Sequence, residues 1–503
     1  MVHAPQQNVG IILQSICLIT PPSAFLLDER VFVSLGVLKV AASLEAQQYQ
    51  VNFLDLSGVE NYLTPLEGYL RDAKDGAIGI TATTPQLPAV MQIAATVRRV
   101  RPDLRLIIGG PHVTLCHSAQ KVERRLGRVG RGHRAMEQLE ATFDVLCSGD
   151  GEFAIFEALK PDAPKIIDGD DPKGGLFLTD KTFSEAPLPS RHLVDLKSYR
   201  YSIEGQNATS LIAQLGCPFA CGFCGGRNSK SLRVIRNRTV ESILAEVKHL
   251  HEAHGYTGFM FYDDELNVSK TFLDLLNGLY DLQQHLDTEF RLRGFVKSEL
   301  FTREQANAMY RAGFRWLLCG FEGANDRILT NIDKRATLAD NTACVEMAKA
   351  AGLKVKALMS VGHPGESEET IGDVRDWLIE QRVEDFDCTV ITTYPGTPYY
   401  DLAVPSEPGV WTYTHRKTGD RLHSYELDYT KTPDYYKGDP KDGYKAFVFT
   451  DHLSAAQIVS LRNDVEREVR AALDIPFNPG AAALRYEHSM GQGLPGFIHR
   501  ASQ

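Results

Sequence analysis

The sequence predicts an α/β protein in which two parallel-sheet units stand in series, followed by an extension of different character. Three observations carry this. Short apolar runs alternate with helix-spaced amphipathic segments over residues 1–160 and again over residues 209–404, the rhythm of βαβ units. Between the two stretches, and again past Pro405, the rhythm fails. The chain has 503 residues, more than one ordinary hydrophobic core serves.

In the first unit, Val9–Ile19 reads as a buried strand and Ser34–Gln47 as a helix, with Leu35, Leu38, Val40, Ala41 and Leu44 on its apolar face. Val51–Leu56 and Ala77–Thr81 follow as strands and Val90–Arg99 as a helix. Leu104–Ile108 runs into Gly109-Gly110-Pro111-His112, and Val145–Ser148 into Gly149-Asp150-Gly151-Glu152. Strands ending in Gly, Thr or Pro present ligand-binding loops at the carboxyl edge of such a sheet. Residues 161–208 read as a linker, with turn signals at Asp168–Gly175 and Ala186–Arg191.

In the second unit the strands are Thr209–Gln214, Phe259–Tyr262, Arg291–Val296, Trp316–Leu318, Lys354–Ser360 and Asp387–Ile391. The helices between them are Val240–His254, Phe272–Leu286, Arg303–Arg311, Ala339–Ala351 and Glu368–Gln381. Six strands suit a partial (β/α)6 barrel rather than a closed eightfold one. Residues 405–503 read as a mostly helical or irregular extension: a stretch rich in Tyr, Lys and Asp, a helix at Ser454–Leu473 and a Gly/Pro-rich tail. The sharper expectation for the extension is that it covers the barrel mouth with Tyr413, Tyr425, Tyr429, Tyr435, Tyr436, Tyr444, His415, His423 and His452, and with the tail Tyr486–Gln492.

Composition excludes several classes. Hydrophobic residues make up 43% and charged residues 23%, the profile of a soluble globular chain. A net charge of −10 argues against a phosphate-tracking nucleic-acid binder. The densest basic stretch, Lys121 to Arg134, reads as a solvated face. No window approaches the ~18 apolar residues of a membrane span. Pro21 and Pro22 close the first apolar run and no cationic region precedes it, so a cytoplasmic protein is expected. Nine cysteines in this length do not make a disulfide scaffold.

Three of those cysteines fall together, in Gly216-Cys217-Pro218-Phe219-Ala220-Cys221-Gly222-Phe223-Cys224-Gly225-Gly226. Thiolates at spacings of four and three face one point only from a tight loop, and the glycines and proline favour one. Iron–sulfur clusters take thiolate ligands, usually four. Three would leave one iron open. Buried free cysteines or an incomplete zinc site are the alternatives.

Cys-x3-Cys-x-aromatic-Cys, with Phe223 as the aromatic, resembles the signature of radical S-adenosylmethionine (SAM) enzymes. The resemblance continues through Phe261-Tyr262-Asp263-Asp264-Glu265, Gly320-Phe321-Glu322-Gly323, Gly362-His363-Pro364-Gly365-Glu366-Ser367 and Thr393-Tyr394-Pro395-Gly396-Thr397-Pro398, in the family's order along the barrel. It implies that Cys217, Cys221 and Cys224 hold a 4Fe–4S cluster whose open iron binds SAM. The reduced cluster would cleave SAM to a 5′-deoxyadenosyl radical. Asp263, Asp264 or Glu265 would accept from the SAM ammonium, and Glu322 would reach its ribose or amino-acid end. The turns at Gly362, Pro364 and Gly365 and at Tyr394, Pro395 and Gly396 would line its adenine.

The first unit resembles the cobalamin-binding domain that precedes the barrel in one large subclass. The cues are Pro21-Pro22, Ser34–Leu38, Gly109–Thr114 and Gly149–Glu152. The resemblance implies cobalamin contacts at Thr81, Gly109, Gly110, His112, Thr114, Gly149, Gly151 and Glu152. The family's cobalt-ligating D-x-H-x-x-G loop is missing, so His112 is expected to touch the cofactor's tail or a loop, and cobalt to lack a protein histidine. The function implied is methylation of an unactivated carbon of a small molecule, with a flavodoxin or ferredoxin as electron donor. A cobalamin-dependent cyclase, oxidase or rearrangement enzyme is the alternative. Two further readings are a methylthiotransferase, with a second cluster on Cys17, Cys116 and Cys147, and a non-enzymatic SAM- or cobalamin-responsive module.

Overall fold

The computed structural model describes residues 15–23, 29–436, 443–476 and 498–502. The first six residues of the expected opening strand, and the tail motif Tyr486–Gln492, lie outside them. The first sheet is built from β1 (Ser15–Thr20), β2 (Gln50–Asp55), β3 (Ala77–Thr81), β4 (Arg105–Gly109), β5 (Val145–Gly149) and β6 (Ile166–Gly169). These six strands are parallel in the order β2-β1-β3-β4-β5-β6. Helices cover both faces. Cys17, Ile19, Ile78, Ile80, Leu106 and Ile108 bury against Leu87–Val100 and its neighbours. Ile16, Leu18, Val51, Phe53, Ile107 and Cys147 bury against Leu35–Ala46 and Gly151–Ala158. Burial on both faces is why the strands read as unbroken apolar runs.

Two differences from expectation stand out here. The segment expected as linker supplies β6, which pairs with β5 from Leu146↔Ile166 to Gly149↔Gly169. The basic stretch is not simply solvated. Arg131 is 6% exposed, stacks 3.8 Å from the Tyr400 ring and 4.2 Å from the Trp411 ring, and so ties the first domain to the rest.

The second domain opens with an antiparallel hairpin, β7 (Tyr201–Ile203) and β8 (Gln206–Leu211). A short pair, β9 (Gln214–Leu215) and β10 (Arg236–Asn237), closes the base of the cysteine loop. Then come β11 (Gly258–Phe261), β12 (Arg291–Val296), β13 (Phe314–Glu322), β14 (Lys354–Val361) and β15 (Asp385–Val390). The six parallel strands run in the order β15-β14-β13-β12-β11-β8. The helices lie on one face only. On β12, Leu292 and Val296 join that helix-covered core, while Arg291, Arg293 and Phe295 turn to the open side.

The extension departs from its expected character. It folds as a four-stranded antiparallel sheet, β16 (Val404–Glu407), β17 (Val410–Thr414), β18 (Arg421–Tyr425) and β19 (Val448–Thr450), followed by the helix Ala455–Leu473. Tyr413, Leu422, Val448, Ile458, Val465 and Val469 enter the barrel core, while Tyr429 and Tyr435 enter the first domain's core. A final strand, β20 (His499–Ala501), returns antiparallel to β2. Among the described residues no helix is long and apolar enough to cross a membrane.

Candidate functional site

The cysteine loop hangs between β9 and β10, and its shape is set by Arg227. That guanidinium, 6% exposed, donates to the carbonyls of Cys217 and Phe219, each at 2.8 Å, and to that of Gly225 at 3.2 Å. Cys221 sits in an apolar nest with Ile328 and Ile332, against Phe219 and Phe223. The Phe223 ring lies 5.5 Å from that of His363. Burial raises all three thiols, Cys224 to about 12. Arg227 counters this at Cys217 and Cys224, and Lys334 and Lys297 counter it at Cys221. Cations beside thiols favour the thiolate that a metal binds. Three such donors on one loop fit an iron–sulfur cluster.

The acidic residues expected near SAM divide into two kinds. Asp263 is committed elsewhere, a correction to its expected role. It is 2% exposed and accepts from the Ala213 amide at 3.0 Å and from the Gln214 amide, fixing the chain's entry into the cysteine loop. Burial pushes it up to about 7 despite those bonds. Asp264 is exposed, with a carboxyl raised by surrounding protein and partly relieved by Arg227. Glu265 is pushed up to about 7 by burial, against Lys334 and Lys297, and its Oε2 is buried with no hydrogen-bond partner. Glu322 stands at a bulge of β13 with φ +69°. It accepts from the Ser360 hydroxyl at 2.6 Å and lies 3.6 Å from the Lys334 ammonium.

The other two motifs frame this centre. The turn at Gly362, Pro364 and Gly365 is buttressed by the extension: a Cβ on Gly362 would stand 3.2 Å from Val448 and one on Gly365 2.6 Å from Asp420. The Pro364 carbonyl accepts from Asn331 at 2.8 Å. Tyr394, Pro395 and Gly396 pass over the cysteine loop, where the Gly226 amide donates to the Gly396 carbonyl at 3.0 Å.

A cavity of about 270 Å³ opens at the carboxyl edge of the first sheet. Its walls include Gly36, Lys39, Thr81, Gly109, Gly110, Thr114, Gly149, Gly151 and Glu152. Ile212, Leu215, Ser231, Leu232 and Arg236 of the second domain complete it. Gly110 has φ +94°, and a Cβ there would stand 2.8 Å from the Ala82 amide. Gly149 has φ +86° and would meet the Asp170 amide at 2.4 Å. Only glycine lets these loops lie so close to their neighbours. The Thr114 hydroxyl clasps both loops, donating to the Gly110 carbonyl at 3.2 Å and accepting from the Gly149 amide at 2.8 Å. Glu152 lies 3.6 Å from the Lys39 ammonium. A glycine-walled cleft of this kind fits a bulky cofactor tail.

His112, expected to touch the cofactor or a loop beside it, is not on the cavity wall. Its ring is 2% exposed and bonded inside the domain, to the Thr84 hydroxyl at 3.0 Å and the Cys116 thiol at 3.4 Å. Burial lowers it to about 4, so it is neutral near pH 7. Cys17 and Cys147 lie in cores on opposite faces of the sheet, which removes the geometry for a second cluster with Cys116.

Two anchors press the domains together at this cavity. Asp170 accepts from the hydroxyls of Ser229 and Ser231, at 2.6 and 2.7 Å, and from the Ser231 amide at 2.7 Å. Arg236 pairs with Asp150. Sequence reasoning missed Arg227, Lys297, Lys334, Asp170 and Arg236. Only Arg227, three residues after Cys224, carried a local signal.

The geometry places a thiol loop and a glycine-walled cleft side by side, and comparison with known proteins decides their identity. The Radical SAM superfamily matches residues 211–378 and the B12 binding domain matches residues 29–140. The chain is a radical SAM enzyme with a B12-binding domain. An uncharacterized methyltransferase of Pyrococcus horikoshii is 25% identical over 403 residues, covering 78% of this chain and 83% of the relative. The anaerobic magnesium-protoporphyrin IX monomethyl ester cyclase of Cereibacter sphaeroides is 22% identical over 345 residues, 66% of this chain and 53% of the relative. In fold, the radical SAM enzyme resembles the methyltransferase TsrM from Kitasatospora setae, solved with cobalamin and a 4Fe–4S cluster. The two align at TM-score 0.62 and 16% identity over 92% of this chain and 89% of that one. The cofactors of this radical SAM enzyme are accordingly a 4Fe–4S cluster, SAM and cobalamin.

Proposed function

We propose that this enzyme methylates an unactivated carbon of a small molecule held between its two domains. When bound, the cluster supplies the electron that cleaves SAM, and cobalamin carries the methyl group. The residues do the positioning. Cys217, Cys221 and Cys224 each hold an iron, and Phe223 packs the loop against His363. Asp264 and Glu265 accept from the SAM ammonium, for which the unpartnered Glu265 Oε2 is the best-placed acceptor. Glu322, held by Ser360 and Lys334, takes the ribose or amino-acid end. The turns at Gly362–Gly365 and Tyr394–Gly396 form the adenine side. Thr81, Gly109, Gly110, Thr114, Gly149, Gly151 and Glu152 cradle the cobalamin tail. A flavodoxin or ferredoxin delivers the electron.

The observation that carries this reading is the shared cavity. Its walls come from the glycine loops of the first domain and from residues flanking the cysteine loop of the second. Such a cleft would hold the cobalamin tail next to the cysteine loop and shield the site from water. The test is anaerobic turnover with reductant, cobalamin and deuterated-methyl SAM. Methyl transfer predicts a product carrying the label, with S-adenosylhomocysteine and 5′-deoxyadenosine in equal amounts. The cyclase of Cereibacter sphaeroides supports a second reading, cyclisation, which predicts 5′-deoxyadenosine without S-adenosylhomocysteine and an unlabelled product. That outcome would exclude methyl transfer.

A further inference from the structure

The open face of the barrel sheet carries its own chemistry. The register sets Arg293 level with Met260 on one side and Trp316 on the other, and Phe295 level with Leu318. Tyr262, just beyond β11, reaches the level of Phe295, with ring centroids 6.5 Å apart. Phe32 of the first domain closes the side, 4.7 Å from the Tyr201 ring and 5.2 Å from the Tyr262 ring. Tyr262 nonetheless keeps 52% exposure. Arg293, Phe295 and Trp316 stay half-buried, so the open face presents aromatic rings around one guanidinium.

The cations named on that side of the sheet pair with carboxylates among the described residues, with the exception of Arg293. Arg291 pairs with Glu289 at 2.9 Å, Lys354 with Glu204 at 3.0 Å, and Lys356 with Asp385 and Asp387 at 2.9 and 3.2 Å. Arg293 has no carboxylate within ion-pair distance among the described residues. Its guanidinium lies 6.0 Å from the Trp316 ring and stands beside the Tyr201 hydroxyl, which is its neutral neighbour, while its Nε is buried with no hydrogen-bond partner. A partly buried guanidinium with an unmet donor is costly. Its fork matches a carboxylate, and a carboxylate would relieve that cost.

We infer that the barrel takes an aromatic carboxylate, with the carboxylate on Arg293 and the ring against Trp316, Phe295 and Tyr262. The inference rests on the barrel being the reaction chamber, as proposed above, and deepens that reading by naming the substrate class. Arg293 stands three residues before the end of β12, about 10 Å below the strand ends. The carboxylate anchors at the floor, and the far end of the molecule meets the mouth, where Glu322 and the cysteine loop lie. A guanidinium floor and aromatic walls select for charge at one end and a flat apolar body above it.

The test uses the full-length, cluster- and cobalamin-loaded enzyme with three probes, indole-3-acetate, 4-hydroxyphenylacetate and 2-naphthoate, each against its neutral amide. Binding is followed by calorimetry at millimolar ligand. At least one acid is expected to bind about tenfold more tightly than its amide. Arg293→Gln should bring acid and amide to equal affinity. The inference is overturned if no acid outbinds its amide, or if the preference persists in the variant. Should Arg293→Gln fail to load its cluster, the acid–amide comparison in the native enzyme still decides. Acid selectivity in an enzyme whose turnover forms 5′-deoxyadenosine without S-adenosylhomocysteine would leave this site standing and sink the methyltransferase reading. Methyl transfer without acid selectivity would do the reverse.

Discussion

Replacing Arg227 with Met should cost the enzyme its cluster while sparing its fold. The guanidinium makes three good bonds, to the carbonyls of Cys217, Phe219 and Gly225, and all three belong to the loop that carries the thiols. Met fills much of the same volume but donates nothing. Leaving three half-buried carbonyls unmet costs roughly 1–2 kcal/mol each, so about 3–6 kcal/mol in all. That is comparable to the whole stability of many domains. Because the bonds are local, the expected consequence is an opened loop rather than a global collapse. A second effect adds to it. Arg227 is the cation that holds Cys217 and Cys224 down against burial, so its loss should move cluster assembly to higher pH. Iron and sulfide per chain, measured after anaerobic reconstitution across a pH series, test both effects. Arg227→Lys, which keeps the charge but not the fork, should recover the pH dependence better than the cluster content. A Met variant that loaded a full cluster with native pH dependence would refute the reasoning.

Four further outcomes follow from single contacts. Gly110→Val should abolish cobalamin uptake and leave the cluster intact, because the new side chain meets the Ala82 amide at 2.8 Å in a positive-φ turn; bound-cobalamin absorbance reads this out. His112→Ala should retain cobalamin, and binding by the native enzyme should be as flat from about pH 6 to 8 as in the variant, since burial already holds that ring neutral with a pKa of about 4. Glu366, fully buried and accepting from the Gly362 and His363 amides, is pushed up to about 8 by burial. Its protonated form is favoured by the fold, so the stability it contributes is present below the ordinary carboxyl range and is lost as pH rises through about 8; Glu366→Gln should flatten thermal stability over that window. Asp170→Ala should release the Ser229–Ser231 turn, seen as faster amide exchange there, and raise 5′-deoxyadenosine formed per methyl transferred.

The parts of the site that were legible in the sequence are those whose chemistry is local. Three cysteines within eight residues announce themselves, and so do glycines that terminate apolar runs. The helices Val240–His254 and Glu368–Gln381 carry their own caps, Thr239 and Ser367, and could be delimited from sequence alone. What was hidden depends on depth. Asp263, Asp264 and Glu265 look alike in the sequence, yet the first is consumed by backbone amides and the second is exposed. Lys334 reaches Cys221 from more than a hundred residues away, with no pattern to betray it. The strand β6 escaped notice because its four residues sit amid Asp, Gly and Pro. The sheet of the extension escaped because strands of three to five residues rich in Tyr, Thr and Ser leave no clean alternation.

The extension shows why a segment outside a recognised pattern need not be an accessory. As a cover for the barrel mouth, it could be removed without harm to the cluster. Its packing argues otherwise. Tyr413, Leu422, Val448, Ile458, Val465 and Val469 lie inside the barrel core. At roughly 1.5–3 kcal/mol for each buried side chain, their burial contributes about 9–18 kcal/mol, as much as the net stability of a typical domain. Tyr429 and Tyr435 meanwhile pack beside Tyr400 in the first domain's core, and Arg131 of that domain is held between Tyr400 and Trp411. The same stretch thus buries side chains in both cores and supplies one jaw of the clasp between them. A chain ending at the last barrel strand would lose more than a lid. Both its cores would be opened at once, and with them the alignment of the cysteine loop against the glycine-walled cleft. The setting of the cysteine loop against the cleft is therefore fixed partly by residues that line neither.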